Sequence, residues 1–140
     1  MSFVDTNVLV YATAEGAPFR DRARAALARM AADEPLSISR QILREYIAVM
    51  TRAQTWGKPL SLTEATADAA AFVQRFAILE DGLAVWGQLM ELTRRYSFGG
   101  RQVHDANVVA TMLAHGERRL LTFNEADFRR FSALIEVVTP

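Results

Sequence analysis

Apolar residues along the chain alternate between two periods, short runs at strand spacing and longer stretches in which they recur every three or four positions. Ser2-Phe3-Val4 opens as a buried strand, and Asp5-Thr6-Asn7 punctuates it before a helical run from Val8 to Ala12. Gly16-Ala17-Pro18 breaks the pattern, and Pro18 suits the first position of a helix over residues 19–32 with Ala23, Ala26, Leu27 and Met30 inward. Leu36-Ser37-Ile38-Ser39 alternates with period two, a strand whose Ser39 is placed to cap a helix over residues 40–53. On that helix Ile42, Tyr46, Val49 and Met50 share a face, and Glu45 projects from its rim.

Residues 54–60 read as a loop by their Gly and Pro, with Trp56 a candidate contact residue. Ser61-Leu62-Thr63-Glu64 is a capping box for a helix reaching about residue 75, with Ala65, Ala69, Phe72 and Val73 inward. Residues 76–79 read as a buried strand. Glu80-Asp81-Gly82 then starts a helix to about Tyr96, along which Leu83, Trp86, Leu89, Met90 and Thr93 form one side and Trp86 belongs to the core. After the flexible-looking segment 97–102, Ala106, Val109, Ala110 and Leu113 face inward on a helix that Gly116 closes. A strand over residues 119–122 leads into a short helix over 123–128, which Thr122 with Glu125 or Asn124 with Asp127 can cap. Residues 134–138 give the last strand. Alternating strands and helices specify one α/β domain over residues 1–140, a parallel sheet flanked by helices in three layers with right-handed crossovers.

Composition narrows the chemistry. With 140 residues, 51% of them hydrophobic, the chain has enough core to fold without staples. It contains no cysteine, which excludes disulfides, thiolate metal sites and cysteine nucleophiles. No basic start precedes an apolar run, and no stretch reaches the roughly 18 apolar residues of a membrane span, so a cytoplasmic location is expected. Sixteen basic and sixteen acidic residues cancel, which argues against a protein that coats nucleic acid through charge alone but not against a nuclease.

Four acids are candidates for chemistry. Asp5 ends a strand, Glu45 and Asp105 lie in the N-terminal halves of helices, and Asp127 follows a strand. In a parallel α/β sheet all these positions border one edge, the edge where ligands bind. Each acid also has a structural reading. Asp5 or Asn7 can cap a helix, Glu45 can pair with Arg44 or Arg52, Asp105 suits a helix dipole, and Asp127 fits a capping box. Gathered together they form an oxygen-only set suited to Mg²⁺ or Mn²⁺, and their mutual repulsion calls for such a cation.

Phe3-Val4-Asp5-Thr6-Asn7-Val8-Leu9, Glu45-Tyr46, His104-Asp105-Ala106-Asn107-Val108-Val109-Ala110 and Leu121-Thr122-Phe123-Asn124-Glu125-Ala126-Asp127-Phe128 resemble the four sequence blocks of PIN-domain ribonucleases, in particular the VapC-type toxins of bacterial toxin-antitoxin pairs. The resemblance spans the chain in order. It implies Mg²⁺-dependent hydrolysis of RNA phosphodiester bonds, a homodimer, and a cognate VapB-type antitoxin as partner. It makes Asp5 and Asp105 the principal metal ligands and Glu45 the acid of the second block. Some members carry an aspartate where this chain has Asn124, so the last acidic role falls to Asp127, or to Asn124 as a neutral ligand acting through water. Thr6 is expected to support Asp5 through its hydroxyl. His104, at the helix start, reads as structural rather than as a general base.

Two other readings stay open. A phosphatase of the haloacid-dehalogenase type also begins with a strand and an aspartate, but it needs a second aspartate where Asn7 stands. A PIN-like module could bind RNA or a protein without cutting. A dinucleotide fold is excluded, because no Gly-rich turn follows the first strand.

Overall fold

β1 (Ser2–Val4) is short, apolar and buried along its whole length, and it takes the centre of the sheet. In the computed structural model, which describes all 140 residues, β2 (Leu36–Ser39) and β4 (Arg119–Leu121) run parallel to it on either side. Phe3 pairs with Ser37 on one side and Leu120 on the other. β3 (Ala77–Leu79) lies outside β2 and β5 (Glu136–Val138) outside β4, giving the order β3-β2-β1-β4-β5, all parallel. The chain therefore steps outward from β1 to β3 and then returns to the opposite side. Between the C-terminal ends of β1 and β4 this reversal opens a crevice.

Right-handed crossovers decide where the helices go. α1 (Thr6–Thr13), α2 (Arg20–Asp33), α3 (Arg40–Met50) and α4 (Leu62–Arg75) connect the strands of the first half and pack against one another. α5 (Leu83–Arg95) and α6 (Gln102–Ala114) make the return connection and pack together on the other face. α7 (Glu125–Phe128) and a 3₁₀ turn (Arg129–Phe131) join β4 to β5. The expected parallel α/β sandwich is the observed one, and the capping box of Ser61 and Glu64 and the positive φ of Gly116 (72°) are present as read.

Several local expectations are corrected. Asp5 accepts a hydrogen bond from the Thr6 N–H, so α1 begins at Thr6 rather than Val8. Phe19 takes a left-handed conformation (φ 61°, ψ 17°), which leaves Pro18 in the turn and starts α2 at Arg20. Ser39 does not cap α3; its buried hydroxyl has no partner. α3 stops at Met50, short of residue 53. Neither expected cap of α7 forms, because Asn124 makes no side-chain bond to the helix and the Thr122 hydroxyl is spent on Asp5.

Trp86 is not in the core. α5 carries two apolar stripes of helical spacing, and the one facing inward is Val85, Leu89 and Leu92. Leu83 and Trp86 belong to the other stripe and are 88% and 58% exposed. Val73 is likewise exposed. Trp56, by contrast, is half-buried, set edge-on against Tyr11 with ring centroids 5.7 Å apart.

Candidate active site

Asp5 leaves β1 at the crevice and turns the chain into α1, so its carboxylate is both a helix cap and a wall of the cleft. Oδ1 accepts from the Thr6 N–H at 2.8 Å. Oδ2 accepts from the Thr122 hydroxyl at 2.8 Å and from Asn7 Nδ2 at 3.1 Å. Thr122 sits one residue beyond β4, across the switch point. Its oxygen donates once to Asp5 and accepts from Asn7 Nδ2 and the Asn124 N–H, which uses its full hydrogen-bonding capacity. Asn7 in turn accepts from the Phe123 N–H at 2.9 Å. Burial nevertheless dominates: it pushes the Asp5 carboxyl up to about 6, against the three donors that favour its ionised form, with the charge of Glu45 adding to the rise.

A second network fixes Glu45, one turn after the start of α3. Glu45 accepts from the Thr6 hydroxyl at 2.7 Å and from Gln41 Nε2 at 2.9 Å. Thr6 was expected to support Asp5 by its hydroxyl; it supports Asp5 by its backbone and gives the hydroxyl to Glu45. Gln41 also donates to the His104 carbonyl and accepts from Asn107 Nδ2, which reaches Asp81 at 3.0 Å as well. The relay ties α3 to α6 across the crevice. It uses the carbonyl of His104, whose ring stays at the exposed surface. Neither Arg44 nor Arg52 pairs with Glu45.

Asp105, on the first turn of α6, is held differently. Partial burial, then the charges of Asp127, Asp5 and Glu45, push its carboxyl up to about 7, and only Arg130 opposes them. No protein donor anchors it. Asp127 is exposed on α7 on the Asp105 side, and Asn124 is exposed with no side-chain bond to the site. The structure thus brings Asp5, Glu45 and Asp127 within electrostatic reach of Asp105, though no three of the four acids close into a preformed cage.

The residues that sequence reasoning missed are the neutral ones. Thr122, Asn7, Gln41 and Asn107 carry no charge, and only their places beside the acids flagged them: Gln41 stands one turn before Glu45, and Asn107 stands within the Asp-Ala-Asn run. Asn7 is committed to Asp5, Thr122 and Phe123, so the second acid of a haloacid-dehalogenase site has no counterpart. A concavity of about 770 Å³ lies elsewhere, between α1, α2 and α4. It is lined by apolar residues such as Leu9, Ala12, Leu27 and Phe72 and includes none of the four acids, so the chemistry is assigned by the carboxylates rather than by cavity size.

Residues 2–134 match the PIN-domain family model. The chain is 29% identical to ribonuclease VapC48 of Mycobacterium tuberculosis over 133 residues, 93% of this chain and 91% of that one. It is 27% identical to ribonuclease VapC24 of the same organism over 133 residues, 94% and 91% of the two chains. Among solved structures, a toxin-antitoxin complex from Klebsiella pneumoniae superposes with a TM-score of 0.71 at 22% identity, covering 100% of this chain and 98% of that one. VapC20 of Mycobacterium tuberculosis, described as a sarcin-ricin loop cleaving toxin, gives 0.68 at 20% identity with full coverage of both. The chain belongs to the PIN-domain family, and its relatives there are ribonucleases of the VapC type.

Proposed function

We propose that the chain is a Mg²⁺- or Mn²⁺-dependent endoribonuclease, the toxin of a toxin-antitoxin pair, acting in the cytoplasm. The observation that carries this reading is the set of acids around one crevice, where burial first and the neighbouring carboxylates second raise the proton affinity of Asp105 and Asp5. Such a set is unfavourable by itself and becomes favourable around a shared cation. Hard oxygen donors that do not form a cage suit Mg²⁺, which keeps several waters and takes only one or two carboxylates. Asp5 and Asp105 would hold the ion, with Glu45 and Asp127 at its margin. When bound, it supplies the Lewis acidity that activates water and neutralises charge on the phosphate.

The protein's own part is positional. Thr122 and Asn7 keep Asp5 from rotating, and Gln41 and Thr6 keep Glu45 facing it. With no cysteine in the chain and the Thr6 and Thr122 hydroxyls engaged, water is the nucleophile. Attack on phosphorus with departure of the 3′ oxygen leaves a 5′-phosphate and a 3′-hydroxyl. The complexes formed by structural relatives support a VapB-type antitoxin as partner. The exposed stripe of Leu83 and Trp86 on α5 supports a homodimer.

Incubating purified protein with single-stranded RNA in Mg²⁺ or Mn²⁺, beside a parallel reaction in EDTA, tests the reading. Cleavage that needs the cation and leaves 5′-phosphate ends is expected. Cleavage in excess chelator, or 2′,3′-cyclic phosphate ends, refutes it; RNA binding without cleavage in any divalent cation identifies a binding module instead.

A further inference from the structure

Phe19 is the one non-glycine residue with a positive φ, 61°, a conformation disfavoured for any side chain with a Cβ. Burial does not compensate for it, since Phe19 is 51% exposed. What the conformation achieves is placement. The ring stacks with Phe123, centroids 5.7 Å apart and planes inclined by 22°. Arg22 lies over both rings, its guanidinium 4.9 Å from the Phe19 centroid and 5.6 Å from that of Phe123, and also donates to the Pro140 carbonyl at 2.8 Å. Tyr11 braces the pair edge-on at 6.1 and 5.1 Å.

The stack is tied to the acid crevice. Phe123 directly follows Thr122, which donates to Asp5, and its N–H bonds to Asn7, which also bonds to Asp5. A rigid, exposed aromatic face with a cation over it is what an unpaired nucleobase stacks on, and Arg adds attraction for the neighbouring phosphate. The tie to Asp5 favours a nucleic-acid strand over a peptide, because one strand can set a phosphodiester at the acids and a base on the rings. We propose that the Phe19–Phe123 pair, with Arg22, is a stacking subsite for an unpaired base of the RNA strand whose phosphodiester lies at Asp5. The proposal rests on the ribonuclease reading and names residues that position and select its substrate.

The test uses a fluorescently labelled single-stranded oligoribonucleotide titrated in EDTA, where no cleavage is expected, and the same strand with an abasic site at successive positions. Phe19→Asn removes the ring but keeps a residue that tolerates the left-handed conformation, so its melting curve should stay cooperative. It should weaken binding about five- to a hundredfold, and Phe19→Trp should restore it. At one position the abasic strand should bind the wild type more weakly yet bind Phe19→Asn no more weakly than the intact strand, the signature of one shared contact. In Mg²⁺, Phe19→Asn should raise KM and leave kcat unchanged. Equal RNA affinity and KM in Phe19→Asn overturns the subsite while leaving the ribonuclease standing. So does equal RNA affinity accompanied by weaker antitoxin binding, which would make the stack a peptide surface. Wild-type protein that neither binds nor cuts RNA in any divalent cation overturns both.

Discussion

Asp5 and Asp105 face the same crevice and are held there in opposite ways. Asp5 is buried and receives hydrogen bonds from Thr6, Thr122 and Asn7, so its position is set by the fold before any ion arrives. Asp105 is half-open, receives no protein donor, and sits among like charges with Arg130 the one counterweight. One corner is preorganised and the other is poised. On the proposed reading the difference separates what each acid would contribute: Asp5 would fix where a cation sits, and Asp105 would make its arrival favourable by losing repulsion when it binds. The comparison also explains why Thr122 and Asn7 are gathered at Asp5, where a buried carboxylate must have its oxygens satisfied.

The largest effect breaks both corners at once. Asp5→Asn and Asp105→Asn should each reduce RNA cleavage to background, and the double variant should be no worse than either, since ligands of one ion act as a unit. Glu45→Gln should be severe, because it faces Asp5 through Thr6, whereas Asp127→Asn, on the exposed rim, should be milder. Single-turnover cleavage rates at saturating Mg²⁺ measure the series. Additive losses in the double variant would mean that the two aspartates serve separate functions.

A smaller effect isolates the preorganised corner. Thr122→Val keeps the shape and deletes the hydroxyl that donates to Asp5 and accepts from Asn7 and the Asn124 N–H. Removing a support one bond behind a ligand typically lowers metal affinity or activity about 10- to 100-fold. Leaving buried polar groups unpaired should also cost roughly 1–3 kcal/mol of stability. Isothermal titration with Mn²⁺ and urea denaturation give the two numbers. A variant that keeps wild-type ion affinity would show that Asp5 needs no anchoring.

The two corners were not equally readable from sequence. The parallel sheet followed from alternating strand and helix periods, and charge marked the acids. Thr122 was visible only as the end of a strand or a helix cap, because its bond to Asp5 spans 117 positions and depends on β1 and β4 being neighbours. Strand order is a tertiary fact that local pattern does not contain. Periodicity failed on α5 for a related reason: Leu83, Trp86 and Met90 keep helical spacing as well as Val85, Leu89 and Leu92 do, and only packing against α6 decides which stripe is covered. Pro18 misled because the chain placed a left-handed Phe19, not an N-capping side chain, before α2.

The smallest effect sharpens the poised corner through stability rather than activity. The Asp105 carboxyl titrates at about 7 in the folded chain against 3.8 as a free side chain, so the folded state binds its proton more tightly. Its contribution to stability is therefore fully present below about pH 4, is lost as the pH rises through about 7, and stays lost above that. Asp5, raised to about 6, behaves in the same sense over a narrower window. The dipole of α6 favours the ionised form of Asp105 by about 0.3–1 kcal/mol, which is too little to reverse the rise. Asp105→Asn removes the titration, so in EDTA the variant should match the wild type near pH 4 and exceed it near pH 8. At about 1.4 kcal/mol per unit, discounted for partial exposure, the gain is about 2 kcal/mol, or roughly 4–8 °C in Tm. Adding Mg²⁺ at pH 8 should raise the wild-type Tm and leave the variant's nearly unchanged, which closes the gap. Calorimetry at the two pH values, with and without Mg²⁺, decides it. An Asp105→Asn protein less stable than the wild type at pH 8 in EDTA would make Asp105 a structural partner of its helix.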